Sequence, residues 1–552
     1  MKKSKPNILM LLTDQQRFDT ICAAGFGHVH TPNLDRLVKR GCVYTQAYSS
    51  SPACMPARHD LLTGVSARHH GLWVNADKTM QDYSLATLPR MLTESGYQTM
   101  AIGKMHYFPV REHHGWSHMT LMEEIPQSRE DDEYLDYLSR VGYGHITSPH
   151  GVRQMFYHSP QVSPIPEEHH GTAWVARQTA KAIRTERKEP FFILAGWIDP
   201  HPPYSIPEKY IEQYKDAVLP EPSPRPDSDE RQYPLAGDCD VPDAHQLQRL
   251  REAYFASCTF VDRWIGEVLD ALEESGQIDN TYIIFTSDHG EMLGDRQAYQ
   301  KFSPYEGSAR TPLIVCGPNV EPGSTCSAPV TTWDIAATVA DLSGTVPPES
   351  GPEWVGRSLL SDLNEDRVVC LHHGGDPDGF SPQMNRFVAS VGCNHKFVHY
   401  YNGGDEEFYD LQADPQEQNN LLKGDLSAEQ TALAAKLKQA CIGFERDHGQ
   451  AARVKENQFV DDPYSVPMTN IGRYFVARFG QNPVWLTYRS EKDYDHVIHE
   501  LTACLDQDGI FVPVSNDWKN EARQAWERLG GDPGLMEGFI EKMEERTCGA
   551  IA

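Results

Sequence analysis

Short apolar runs, each followed by a segment of helical period, constrain this chain more than any other feature of it. Asn7 to Thr13 is the first, and it ends in Asp14-Gln15-Gln16-Arg17, which reads as a buried strand delivering polar residues at its carboxyl end. Pro32 to Val38 follows with helical spacing, then Val43 to Ala47 as a strand. The alternation continues through helix Leu88 to Ser95, strand Gln98 to Gly103, helix Ala173 to Thr185 and strand Phe191 to Trp197. Gln246 to Ser275 is a long amphipathic helix, Thr281 to Ser287 and Pro312 to Gly317 are strands, and Asp334 to Leu342 is a helix. This pattern predicts an α/β fold, a large mostly parallel sheet sandwiched by helices.

The character changes after about Ser361. Phe387 to Val391, Lys396 to Tyr401 and Glu407 to Leu411 read as short strands, and Ser427 to Arg446 as one covering helix, an α+β subdomain with an antiparallel sheet. The expected organisation is therefore a large α/β domain over 1–360, a subdomain over 361–446 and an extension over 447–552. That extension carries Phe475, Phe479, Trp485 and Tyr488, apolar surface expected to pack on the parent domain or in a homo-oligomer contact. Gly115 to His170 and Ser205 to Asp243, rich in charge and proline, read as long insertions.

Charge narrows the partners. A net charge of −28 argues against nucleic acid and against an anionic membrane surface, which need a basic footprint. It leaves room for a small anionic substrate, because a few local cations dominate a pocket over a screening length of about 8 Å. No run approaches the ~18 apolar residues of a membrane span. The apolar run Ile8 to Leu12 is too short for a signal peptide, and the 12 cysteines form no C-x-x-C pair, so reduced thiols and a cytoplasmic location are expected. A chain whose leader had been removed would read the same way.

Chemistry concentrates at Ser50-Ser51-Pro52-Ala53-Cys54-Met55-Pro56-Ala57-Arg58, followed by Leu61-Leu62-Thr63-Gly64. Proline is tolerated in a helix's first turn, so Cys54 falls at a helix N-terminus, where unpaired N–H groups favour an anion. Arg58, one turn on, faces the same way. Two other strand ends bear on the same place. Asp14-Gln15 closes the first strand and Asp288-His289 closes Thr281 to Ser287, and ligands of open α/β sheets gather at carboxyl ends. Asp14, Asp288 and the Gln15 amide oxygen are hard donors for Ca²⁺ or Mg²⁺, and His289 adds a nitrogen that also suits Mn²⁺. Lys104 and His106 lie two apart at the end of the strand before them, His201 follows another strand, and Lys301 lies twelve residues past His289.

Taken together, the chain resembles the sulfatase family. The motif Cys54-x-Pro56-x-Arg58 matches its signature, and Asp14, Gly103-Lys104-x-His106, His201, Asp288-His289-Gly290, Lys301 with Tyr305-Glu306, and Phe408-Tyr409-Asp410-Leu411 through Glu417 and Asn420-Leu421 occur in family order. The likeness covers roughly residues 5 to 445. It implies that a formylglycine-generating enzyme oxidises Cys54 to formylglycine, whose hydrate attacks a small anionic sulfate ester. It also implies one divalent metal, Ca²⁺ ahead of Mn²⁺ or Mg²⁺, held by Asp14, Gln15, residue 54, Asp288 and His289. In this reading Arg58 and the metal activate the diol, Lys104 and Lys301 neutralise the sulfuryl oxygens, His201 is the general acid, and His106 is the base that collapses the sulfated hemiacetal. Trp73 and Asn75 are the expected leaving-group contacts. A sulfated carbohydrate or other small organic sulfate is the expected substrate class. Gln15 stands where many members carry a second aspartate, and His289 where many carry asparagine. Both also resemble the related phosphonate monoester hydrolases, which makes phosphonate monoester or phosphodiester hydrolysis the alternative; an inactive sulfoglycan-binding protein is the alternative outside enzymes.

Overall fold

The computed structural model describes residues 5–75, 78–126, 131–146, 149–151, 160–226, 244–374 and 386–462, with isolated positions between 519 and 541. The principal elements of the large part are β1 (Asn7–Thr13), α1 (Pro32–Arg40), β2 (Cys42–Tyr44), α2 (Cys54–Thr63), α3 (Leu88–Glu94), β3 (Gln98–Gly103) and β4 (His118–Leu121). These are followed by α4 (Gly171–Arg184), β5 (Phe191–Gly196), α5 (Ala244–Glu274), β6 (Thr281–Ser287), β7 (Leu313–Cys316), β8 (Ser324–Cys326) and α6 (Thr332–Ser343).

The eight strands form one sheet in the order β8-β2-β7-β6-β1-β5-β3-β4. β1 pairs parallel with both β6 and β5, so it sits at the centre and is buried along its whole length. Its period of two splits the core. Leu9 and Leu11 face Val175 of α4 and Phe255 of α5, and Ile8, Met10 and Leu12 face Leu88 and Leu92 of α3 and Val339 of α6. An all-apolar strand is what burial on both faces demands.

Two sequence expectations change. The predicted strand Val43 to Ala47 is split: β2 ends at Tyr44, and Ala47 and Tyr48 pair instead with Val330 and Thr331. The stretch read as an insertion from Gly115 to His170 contains an edge strand, β4, parallel to β3, and a helix at Glu133–Arg140. A four-residue edge strand carries too few alternations to show in a charged sequence. One strand, β7, runs antiparallel to both neighbours. The segment joining β6 to β7 therefore stays at one end of the sheet, the end where Asp14, Lys104 and Asp288 emerge.

The C-terminal part holds β9 (Val368–His373), β10 (Phe387–Gly392), β11 (His395–Tyr400) and β12 (Glu406–Asp410) as an antiparallel sheet, with α7 (Ala428–Asp447) across it. β9 is a strand beyond the three predicted. Val388, Phe397 and Phe408 meet Leu437 and Cys441 of α7, while Phe387, Ala389 and Val398 on the opposite face meet Tyr48 and Ala309 of the large part. A buried ion cluster seals this seam. Lys396 Nζ of β11 donates to Glu306 Oε1 and Glu417 Oε1, both at 2.8 Å, and to Pro304 O at 2.7 Å. The start of the predicted extension packs on the other face of this sheet, the one that α7 covers, with Phe459 stacked on His399 at 3.8 Å between ring centroids. Phe475, Phe479, Trp485 and Tyr488 lie outside the described residues.

Candidate active site

α2 begins at Cys54 with Ala53 in extended conformation before it, and no side chain of that residue caps the helix. The cap comes from elsewhere: Met55 N–H donates to Asn75 Oδ1 at 2.9 Å. All ten residues of α2 are buried. Arg58, one turn in, ties three strand ends together. Its Nε donates to Asp288 Oδ2 at 2.8 Å, its Nη2 to Asp14 Oδ2 at 3.2 Å and its Nη1 to Lys104 O at 2.8 Å. The approach of β3 and β5 that places Lys104 here needs glycine: a Cβ on Gly103, at φ 88°, would lie 2.0 Å from Gly196 O.

Cys54 Sγ lies 3.1 Å from His289 Nε2 and 3.8 Å from Asp14 Oδ1. Asp14, Cys54, Asp288 and His289 each offer a ligand atom within 4.8 Å of the others, and all four are buried. His289 Nδ1 is 3.0 Å from Gly290 O, so Nδ1–H donates there and the Nε2 lone pair faces the cluster. Gln15, at φ 65°, adds its amide beside them. Two carboxylates and an imidazole nitrogen, all buried, fit one divalent cation, and Gln15 adjoins them through its backbone N–H on Asp288 Oδ1 at 3.1 Å. The charges already show the strain of crowding. Burial and the Cys54 thiolate push Asp14 up, yet Lys104, His201 and Arg58 hold it at about 2. Burial and the neighbouring Asp14 charge push Asp288 up. Burial would also raise the Cys54 thiol, but Lys301, His289 and hydrogen bonds from His106 and His201 hold it well below the ordinary thiol range.

The cations surround this cluster. Lys104, fully buried, contacts Asp14 Oδ2 at 2.5 Å and also donates to Glu124 Oε2. Burial alone would lower its pKa, but the two carboxylates raise it. Lys301 Nζ donates to Gln15 Oε1 at 2.6 Å and lies 2.9 Å from His201 Nε2. His201 Nδ1 is 2.6 Å from Pro202 O, so Nδ1–H donates to that carbonyl and Nε2 faces the site. Burial lowers His201 to about 4, with Glu124 opposing and Lys301 adding to the shift. His106 sits in a left-handed conformation at φ 60°, its backbone N–H held at 3.1 Å by the Glu123 carboxylate. Its Nδ1 is buried without a hydrogen-bond partner among the described residues.

Ten of the sequence-derived residues thus converge: Asp14, Gln15, Cys54, Arg58, Lys104, His106, His201, Asp288, His289 and Lys301. Trp73 and Asn75, the expected leaving-group contacts, have other recorded partners. Asn75 commits its amide oxygen to α2, and the Trp73 ring lies edge-on to His372 of β9 at 5.3 Å. Two histidines outside the site serve the fold, His70 bonded to Asp60 at 2.9 Å and His170 accepting from Thr172 N–H to cap α4. Glu123, Glu124 and Glu291 were not singled out from sequence. The two acids after β4 carried a usable signal, since they end a strand beside that of Lys104.

Comparison with known proteins gives a consistent picture. Residues 6–345 match the family model described as sulfatase, and residues 294–444 match that of the N-sulphoglucosamine sulphohydrolase C-terminal region. An arylsulfatase of Clostridium perfringens is 30% identical over 459 residues, covering 76% of this chain and 91% of that protein. The phosphonate monoester hydrolase structure of Agrobacterium radiobacter superposes with a TM-score of 0.68 at 23% identity, over 83% of this chain and 99% of that one. A structure solved in complex with its substrate D-glucosamine-2-N,6-O-disulfate superposes with a TM-score of 0.65 at 22% identity, over 81% and 99%. At these identities the two structures speak to the fold alone.

Proposed function

The chain belongs to the sulfatase family, enzymes that hydrolyse sulfate esters, and from that premise we propose that it cleaves the sulfate monoester of a small organic alcohol, a sulfated sugar foremost, with aryl sulfates as artificial substrates. The observation that carries this reading is the convergence of Arg58, Lys104 and Lys301 on Cys54 within one buried donor cluster. Asp14, Gln15, Asp288 and His289 would hold a divalent ion, Ca²⁺ in this reading. When bound it supplies positive charge to a sulfuryl oxygen and lowers the pKa of a hydroxyl at residue 54. Cys54, oxidised to formylglycine, would carry that hydroxyl as a hydrated aldehyde.

The remaining work falls to the chain's own side chains. Lys104 and Lys301 neutralise the sulfuryl oxygens from fixed positions, so little reorganisation is needed as charge builds. His201 presents Nε2 with Lys301 Nζ–H against it, so this pair delivers the proton that the leaving oxygen takes as its bond to sulfur breaks. His106 then removes the proton of the remaining hydroxyl on residue 54, which lets the carbonyl re-form and sulfate depart.

Lys104 with His106 favours sulfate over phosphonate, while Gln15 and His289 favour the phosphonate alternative. The test is kcat/KM for an aryl sulfate against the matching phenylphosphonate monoester, with mass analysis of the Cys54 peptide. Conversion of Cys54 and a higher kcat/KM for the sulfate are expected. A preference for the phosphonate, or full activity with an unmodified thiol, overturns the reading.

A further inference from the structure

A glutamine metal ligand poses a problem that an aspartate does not. A carboxylate presents an acceptor whichever way it turns, whereas an amide turned by half a revolution presents N–H donors and repels a cation. Gln15 is fixed at its backbone, its N–H on Asp288 Oδ1 at 3.1 Å and its carbonyl accepting from Tyr254 Oη at 2.8 Å. That leaves the side-chain orientation to its neighbours, and they are of opposite kinds. Nε2 donates to Glu291 Oε2, and Oε1 accepts from Lys301 Nζ.

We propose that Glu291 is the positioning residue that sets the Gln15 amide, holding its N–H end away from the metal site so that Oε1 faces it. Glu291 is fully buried and its other oxygen is anchored, since Oε1 accepts from Leu293 N–H at 2.9 Å and from Gln300 N–H. Its own carbonyl accepts from Arg17 Nη1 at 2.7 Å. The same carboxylate therefore staples both ends of the loop that carries Lys301, where Leu293, Gln300 and Phe302 take left-handed conformations at φ 51°, 68° and 73°. One buried acid thus registers both the Gln15 amide and the loop leading to the Lys301 ammonium.

The inference rests on the metal reading of the site, and the experiment separates the two. Ca²⁺ affinity is measured by calorimetry on the wild type, Glu291→Gln, Gln15→Glu and the double variant, with metal-free melting temperatures alongside. Glutamine at 291 keeps an acceptor for the loop N–H groups but turns a donor toward residue 15, which forces the Gln15 amide over. Glu291→Gln is expected to weaken Ca²⁺ binding by about 10–100-fold, the usual cost of losing an outer-sphere partner. In the Gln15→Glu background the same change is expected to strengthen binding, because it replaces facing carboxylates by a carboxylate accepting from an amide. A change of the same sign in both backgrounds, or none in the wild type, overturns the role of Glu291. So does a Glu291→Gln chain that misfolds in both backgrounds, which would mark a loop staple only. A wild type that binds neither Ca²⁺ nor Mn²⁺ ends the metal reading and this inference with it.

Discussion

Lys104 shows how much a single side chain carries at this site. Its ammonium lies buried against Asp14 and Glu124, and both acids draw compensation from it. Replacing it with alanine removes a cation from the sulfuryl oxygens and leaves two carboxylates facing each other. An expected loss of about 10²–10³ in kcat follows, similar to removing one preorganised donor, read from steady-state kinetics on an aryl sulfate. Lys104 itself was legible from its place after β3, as were Asp14 and Asp288 after β1 and β6, because a buried apolar strand must end in whatever its sheet edge presents. Glu291 was not, for a physical reason. Its role exists only through Gln15, which follows the neighbouring strand but lies far away in sequence, and no local spacing encodes that. Nor does the spacing of Asn75 after α2 disclose that its oxygen accepts from that helix's second residue.

Among the elements, β11 has the widest reach. Through Lys396 it grips Pro304, Glu306 and Glu417, and Pro304 to Glu306 follow directly on the loop that bears Lys301. The C-terminal sheet thus sets a boundary of the catalytic loop, although it contributes none of the ten converging residues. Lys396→Met fills a similar volume but takes from Glu417 its cation and leaves Glu306 with Arg310 alone. We expect a loss of about 3–5 kcal/mol in urea unfolding and a lowered kcat, and a variant with unchanged stability would show that water reaches the seam. Glu417 had stood out in the sequence only as part of a motif around Asp414-Pro415. Its function in the seam became visible only through its partners, the Lys396 ammonium of β11 and the Glu306 N–H.

Viewed as a whole, the molecule buries histidines that must stay neutral. His59 lies on α2 and His114 packs against it, their rings 5.9 Å apart and both near Tyr107, and burial lowers each to about 3. An unfolded chain takes up these protons below the ordinary value of 6.5 while the folded one does not. The stability they contribute is therefore complete above pH 6.5 and is lost progressively as the pH falls toward 3, by about 2 kcal/mol each at pH 5. Melting temperatures are expected to fall steeply below pH 6, and His59→Gln with His114→Gln to flatten that fall; an unchanged profile would assign acid unfolding to other groups. The α/β layout, the antiparallel subdomain and the strand-end site could all be read from apolar periodicity. The reversed β7, the edge strand β4 and the seam could not, since each is decided by pairing between distant segments.

The burial of α2 has a consequence in time. Cys54 is 1% exposed, every residue of its helix is covered, and the sheet, α6 and the C-terminal part close around it. An oxidising enzyme that reads this segment as an extended peptide has no access once the fold is complete. Conversion of Cys54 would then be a race between two rates, modification of the nascent chain and closure of the sheet over it. The active fraction of any preparation would be set at synthesis, raised by slower folding or more of the modifying enzyme, and beyond correction afterwards.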